Sequence, residues 1–91
     1  MKITFGAKGW DQYQYWRVND NDMCRKVERL IAETRRTPFN GTGKPEPLRG
    51  DKTGSWSRRI TDEHRLVYRV FGKGSDQVLE IVSCRFHYAE R

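Results

Sequence analysis

A chain of 91 residues has room for one domain, spanning 1–91, and for little more than one or two helices on one sheet. Its formal charge of +6, from 18 Lys and Arg against 12 Asp and Glu, favours an anionic partner such as RNA, DNA, an acidic protein or an anionic membrane surface. No apolar run reaches membrane-spanning length and the opening Met1–Gly6 has no signal-peptide core, which predicts a cytoplasmic protein with Cys24 and Cys84 reduced and unpaired. Three Trp, four Tyr and four Phe supply the buried area that argues against disorder.

In chain order, Lys2 to Phe5 alternates polar and apolar and is short enough for an edge strand. From Ala7 to about Val18, Trp10, Tyr13 and Trp16 recur at threes and predict a helix whose aromatic face is core rather than a platform for bases. Asp20-Asn21-Asp22 breaks it and offers capping oxygens to a second helix. There Met23, Val27, Leu30, Ile31 and Thr34 trace the apolar stripe, with Cys24, Arg25, Lys26 and Glu28 off it, until Pro38 ends the run. Arg35 and Arg36 complement the helix dipole. Pro38 to Asp51 is a Gly- and Pro-rich loop in which Pro45 and Pro47 hold Glu46 extended. Three strands follow, Trp56–Ile60, Arg65–Phe71 and Val78–Phe86, the last two joined by a hairpin loop over 72–77. Helices first and a strand meander after predict an α+β fold, with the N-terminal helices packed on one face of a twisted, mainly antiparallel sheet.

Alternation then assigns the faces. Leu66, Tyr68 and Val70 share one side of the middle strand, with Val82, Cys84 and Phe86 beside them in the last. Arg65, Val67 and Arg69 take the other side, with Ser83, Arg85 and His87, while Ser57 and Arg59 oppose Trp56, Arg58 and Ile60. If the apolar sets meet the helices, Arg59, Arg65, Arg85 and His87 collect on the open face, which the Glu46 loop enters from the N-terminal side. Such a set can cleave RNA by acid–base chemistry. Glu46 is the candidate base for the 2′-hydroxyl, and His87 the candidate acid, because imidazole titrates near neutral pH. Arg65 is the candidate phosphate clamp, supported by Arg59 and Arg49, since guanidinium forks match phosphate oxygens.

Other residues read as structural. His64, in the polar turn Thr61-Asp62-Glu63-His64, has no catalytic part, and Arg58 belongs to an ion pair or stacks on Trp56. Gly41-Thr42-Gly43-Lys44 has the wrong spacing for a nucleotide phosphate loop, and two His and two Cys at no ligand spacing argue against zinc. No cofactor is expected. Two alternatives stay open at this point: a non-catalytic basic RNA- or ribosome-binding module, and a protein-interaction domain whose basic face meets an acidic partner.

Trp10 with Tyr15-Trp16, Thr37-Pro38-Phe39, Gly43-Lys44-Pro45-Glu46-Pro47-Leu48, Trp56-Ser57-Arg58-Arg59-Ile60, Glu63-His64-Arg65-Leu66-Val67-Tyr68 and Cys84-Arg85-Phe86-His87-Tyr88 together resemble the YoeB/Txe toxins of the RelE superfamily, in order and over essentially the whole chain. The resemblance implies a ribosome-dependent mRNA interferase of a type II toxin–antitoxin system. Such a protein cuts mRNA in the 30S A site without a metal, leaves a 2′,3′-cyclic or 3′-phosphate end, and is neutralised by the acidic C-terminal segment of a YefM-type antitoxin. It also implies a possible homodimer. The family's catalytic glutamate, arginine and terminal His-Tyr pair fall on Glu46, Arg65, His87 and Tyr88, and a second family arginine falls on Arg59; the candidate phosphate-binding residues of this chain are Lys44, Arg49, Arg59 and Arg85. Arg49 stands where the family has lysine, and Ala89-Glu90-Arg91 extend past the His-Tyr end.

Overall fold

The computed structural model describes residues 1–87. Its elements are β1 (Lys2–Phe5), α1 (Ala7–Asn19), α2 (Asn21–Arg36), β2 (Glu46–Pro47), β3 (Trp56–Arg59), β4 (Arg65–Phe71) and β5 (Val78–Ser83). The strands form one five-stranded sheet in the order β1-β5-β4-β3-β2. β1 runs parallel to β5, with Ile3 opposite Leu79, and every other pairing is antiparallel. The α+β expectation holds.

The two helices meet because Asp20 terminates one and caps the next. Its backbone N–H donates to Trp16 O at 2.9 Å, and its carboxylate accepts from Met23 N–H at 3.1 Å. The apolar stripe of α2 is wider than the expected one. Val27, Leu30, Ile31 and Thr34 are buried, and so is Cys24, which was expected off the stripe but lies three residues before Val27 and seven before Ile31. They pack with Trp16 on Ile60, Leu66, Tyr68, Leu79 and Ile81, so one sheet face is the core. Burial pushes the Cys84 thiol up to about 12, which keeps it an inert apolar filler. Among the described residues no helix is long and apolar enough to cross a membrane.

The aromatic triplet of α1 splits. Trp16 is buried and donates from its indole to Cys84 O at 2.9 Å, whereas Trp10 is exposed and packs edge-on against Phe5 at 5.6 Å. Residues spaced by three drift about 60° per step around a 3.6-residue helix, so only one end of the triplet can point at the sheet. Tyr13, between them, donates to Glu28 Oε2 at 2.6 Å, and that bond raises the phenol to about 12.

Helix α1 rides directly on the backbone of β5. A Cβ on Gly9 would lie 2.3 Å from Ile81 O. In a free helix Gly→Ala stabilises by about 1 kcal/mol; here the clash reverses the sign. Gly9→Ala is expected to lower stability by roughly 1–3 kcal/mol, as overpacking does, measured as the midpoint of urea unfolding.

The last strand is shorter than the alternation predicts. Val67 opposes Ser83 but Tyr68 opposes Ile81, which leaves Val82 as an inserted bulge residue. Beyond Ser83 the side-chain amide of Gln12, on α1, takes over from the sheet: its Oε1 accepts the backbone N–H of Cys84 at 2.7 Å and of Arg85 at 3.0 Å. Of Val82, Cys84 and Phe86, expected together in the core, only Cys84 is buried, and Phe86 is exposed.

Candidate active site

On the face away from the helices a row of small and neutral side chains crosses the sheet. Glu46 on β2 opposes Ser57 on β3, Ser57 opposes Val67 on β4, and Val67 opposes Ser83 on β5. Ser57, Val67 and Ser83 are buried and make a floor, while Glu46 stands exposed at its edge. The next cross-strand pair toward the open end is Arg59 with Arg65. These residues, with Gly43, Lys44 and His87, line one cleft of about 150 Å³. Four cations or potential cations thus surround one carboxylate.

The sequence pattern places Glu46 in a loop, whereas it lies in a two-residue strand at the sheet edge. The flanking prolines do hold it extended, and the pairing with Ser57 then fixes which face it occupies. The segment before it is anchored at Gly43, whose carbonyl accepts the Arg59 N–H at 2.8 Å. Gly43 has φ +86, and a Cβ there would meet Arg59 O at 2.8 Å, so both conformation and space demand glycine. Lys44 follows at φ 52, a left-handed conformation that turns the chain into β2.

Behind this segment sits Arg58, fully buried on the core face. It donates from Nε to Tyr68 Oη at 3.3 Å, from Nη1 to Thr42 O at 3.3 Å and Glu33 Oε2 at 3.5 Å, and from Nη2 to Asn40 O at 2.6 Å and to Thr37 O. Tyr68 Oη donates onward to Pro38 O at 2.5 Å. Glu33 also accepts the Thr42 N–H at 2.8 Å, and chiefly that bond holds its carboxyl below the usual range. The expected structural ion pair of Arg58 is present, with Glu33 as partner. The larger part of its bonding, to the carbonyls of residues 37–42, was hidden because no local pattern links them to position 58.

Arg65 begins β4. Its Nη1 donates to the carbonyls of Thr61 at 2.7 Å, His64 at 3.1 Å and Asp62 at 3.2 Å, which orients the guanidinium along the hairpin end of the cleft. His87 reaches the same cleft by a turn rather than by strand alternation. Phe86 has φ 67, its carbonyl accepts the Arg65 N–H at 3.1 Å, and its N–H donates to His64 Nδ1 at 2.7 Å.

Arg85 does not share the surface of His87 as expected. Its guanidinium carbon lies 3.5 Å from the ring centre of Tyr15, 4.4 Å from that of Phe86 and 5.7 Å from that of Trp16, and its buried Nε meets no hydrogen-bond acceptor among the described residues. The alternation failed because the strand ends at Ser83. Arg49 heads the short turn Gly50–Lys52 beyond β2 and does not line the cleft. Tyr88 lies outside the described residues. The expected cluster thus assembles Lys44, Glu46, Arg59, Arg65 and His87, without Arg49 and Arg85.

Residues 5–88 match the family described as the YoeB-like toxin of bacterial type II toxin–antitoxin systems. The chain is 51% identical to the toxin YoeB of Escherichia coli K12 over 88 residues, covering 97% of this chain and all of the relative. A structure named as the YoeB/ParE toxin from Agrobacterium tumefaciens superposes with a TM-score of 0.93 at 56% identity, over 97% of this chain and all of that one. The Staphylococcus aureus YoeB, solved both as a dimer and in complex with YefM, superposes with TM-scores of 0.82 and 0.84 at 39% identity, over 97% of this chain and 98% of that one.

Proposed function

This chain belongs to the family of YoeB-like toxins of bacterial type II toxin–antitoxin systems, and within it we propose that the protein is a cytoplasmic endoribonuclease that cuts mRNA in the ribosomal A site by metal-independent acid–base chemistry. The observation that carries the reading is the convergence of Lys44, Glu46, Arg59, Arg65 and His87, from three strands, a loop and the C-terminal turn, on one small cleft. Nothing in packing the core requires this convergence.

The chemistry follows from the residue types. Glu46 takes the proton of a ribose 2′-hydroxyl, and the 2′-oxygen attacks the adjacent phosphorus. Arg65 and Arg59, with Lys44, hold the nonbridging oxygens as negative charge grows on them. The bond from phosphorus to the 5′-oxygen breaks, and His87 protonates that oxygen as it leaves. The products are a 2′,3′-cyclic phosphate and a 5′-hydroxyl. The family resemblance adds Tyr88 as a fourth catalytic residue and Arg49 as an outlying phosphate contact. An acidic YefM-type antitoxin would neutralise the protein by covering this basic face, and self-association as a homodimer is part of the same reading.

Inducing the protein in living bacteria and mapping mRNA 5′ ends tests it. New ends within reading frames, present with wild type and absent with Glu46→Ala, support the nuclease. Salt-dependent association with RNA or ribosomes that creates no ends in either case replaces it with a non-catalytic binding module.

A further inference from the structure

The C-terminal turn that delivers His87 lies beyond the regular strand pairing of β5. Strand pairing ends at Ser83, and the chain then takes a left-handed conformation at Phe86, costly for an aromatic side chain unless its surroundings enforce it. Among the described residues two bonds hold that residue, one from the first residue of β4 and one from the turn just before it. The Arg65 N–H donates to Phe86 O at 3.1 Å, and the Phe86 N–H donates to Nδ1 of His64 at 2.7 Å. The first is backbone to backbone and available to any sequence. The second needs a side-chain acceptor at position 64. His64 is itself fixed edge-on against the buried Trp16, with ring centres 5.0 Å apart, and it packs against the Phe86 ring at 6.0 Å. Across a hollow beside the cleft, Asp62 and Glu63 of the same turn face Phe86 and His87.

Building on the nuclease reading above, we propose that His64 is a positioning residue for the cleavage reaction: by accepting the Phe86 amide it holds the strained turn that aims the His87 imidazole into the cleft of Glu46 and Arg65. Nδ1 must be free of a proton to accept this bond. A catalytic group displaced by about 1 Å can cost on the order of 10²-fold in rate, so the clip matters even though the fold does not depend on it.

Two substitutions separate its two contributions. His64→Phe keeps a ring against Trp16 but has no acceptor. His64→Asn loses the ring but keeps an oxygen at the position of Nδ1. Each is compared with wild type in single-turnover cleavage of mRNA on purified ribosomes, in thermal unfolding and in hydrogen exchange of the Phe86 amide. The expected result is crossed. His64→Phe melts near wild type, exchanges the Phe86 amide quickly and cuts about 10²-fold more slowly at an unchanged half-saturating concentration. His64→Asn melts lower, keeps the amide protected and cuts within a few-fold of wild type. Cleavage by His64→Phe at the wild-type rate, or an equal loss in both variants, overturns the proposal. A wild-type protein that cuts nothing sinks the nuclease reading instead, and with it the catalytic purpose of the clip, while amide exchange still reports whether the clip exists.

Discussion

On the proposed mechanism, Glu46→Gln and His87→Gln are each expected to lower the single-turnover rate of mRNA cleavage on ribosomes by about 10²–10⁴-fold, the usual worth of one positioned acid or base. Glu46→Gln keeps the shape of the side chain, His87→Gln keeps a polar hydrogen-bonding group, and neither amide can exchange a proton near neutral pH. Glu46 is exposed at the sheet edge and His87 follows the last strand, so neither supports the core and both variants should melt like wild type. Ribosome association, followed by cosedimentation at fixed salt, should persist, because Lys44, Arg59 and Arg65 still line the cleft. Two groups acting on one proton-transfer sequence should also be less than additive, so the double variant cuts little more slowly than the worse single one. Cleavage at the wild-type rate by both single variants would remove the acid–base assignment altogether.

Replacing Arg58 by Met should cost roughly 3–5 kcal/mol, the range seen when one partner of a buried ionic network is removed. The guanidinium is fully buried and serves Tyr68, Glu33 and the carbonyls of Thr37, Asn40 and Thr42, each of which loses the bond it accepts from Arg58. For 91 residues total stability is about 5–14 kcal/mol, so the loss is a large fraction of it. The exposed pair Arg25–Asp22, at 2.5 Å but with side chains 60% and 92% exposed, provides the contrast: Arg25→Ala should change stability by no more than about 1 kcal/mol. Urea unfolding of both variants makes the comparison, and equal effects would contradict the structural reading of Arg58. Activity of Arg58→Met should fall too, since residues 37–44 lead directly into Lys44 and Glu46.

The local elements and much of the cleft are legible in the residue pattern alone. Four residues of β1, the two helices with Asp20 between them and the full extent of β4 are set by apolar period, capping oxygens and β-branched runs, all of which act within a few residues. Arg59 and Arg65 could be put on the open face because a strand that pairs regularly alternates regularly. The pattern fails where a distant group replaces the regular partner. Gln12 takes the amides after Ser83, and the bulge at Val82 breaks the count, so Arg85 turns to Tyr15 rather than to the cleft. Pairing with Ser57 converts the Glu46 loop into a strand. His64, bland in its own turn, becomes the acceptor for an amide 22 residues away. A backbone N–H in a turn must find some acceptor, but which one it finds depends on chain paths that meet only after folding.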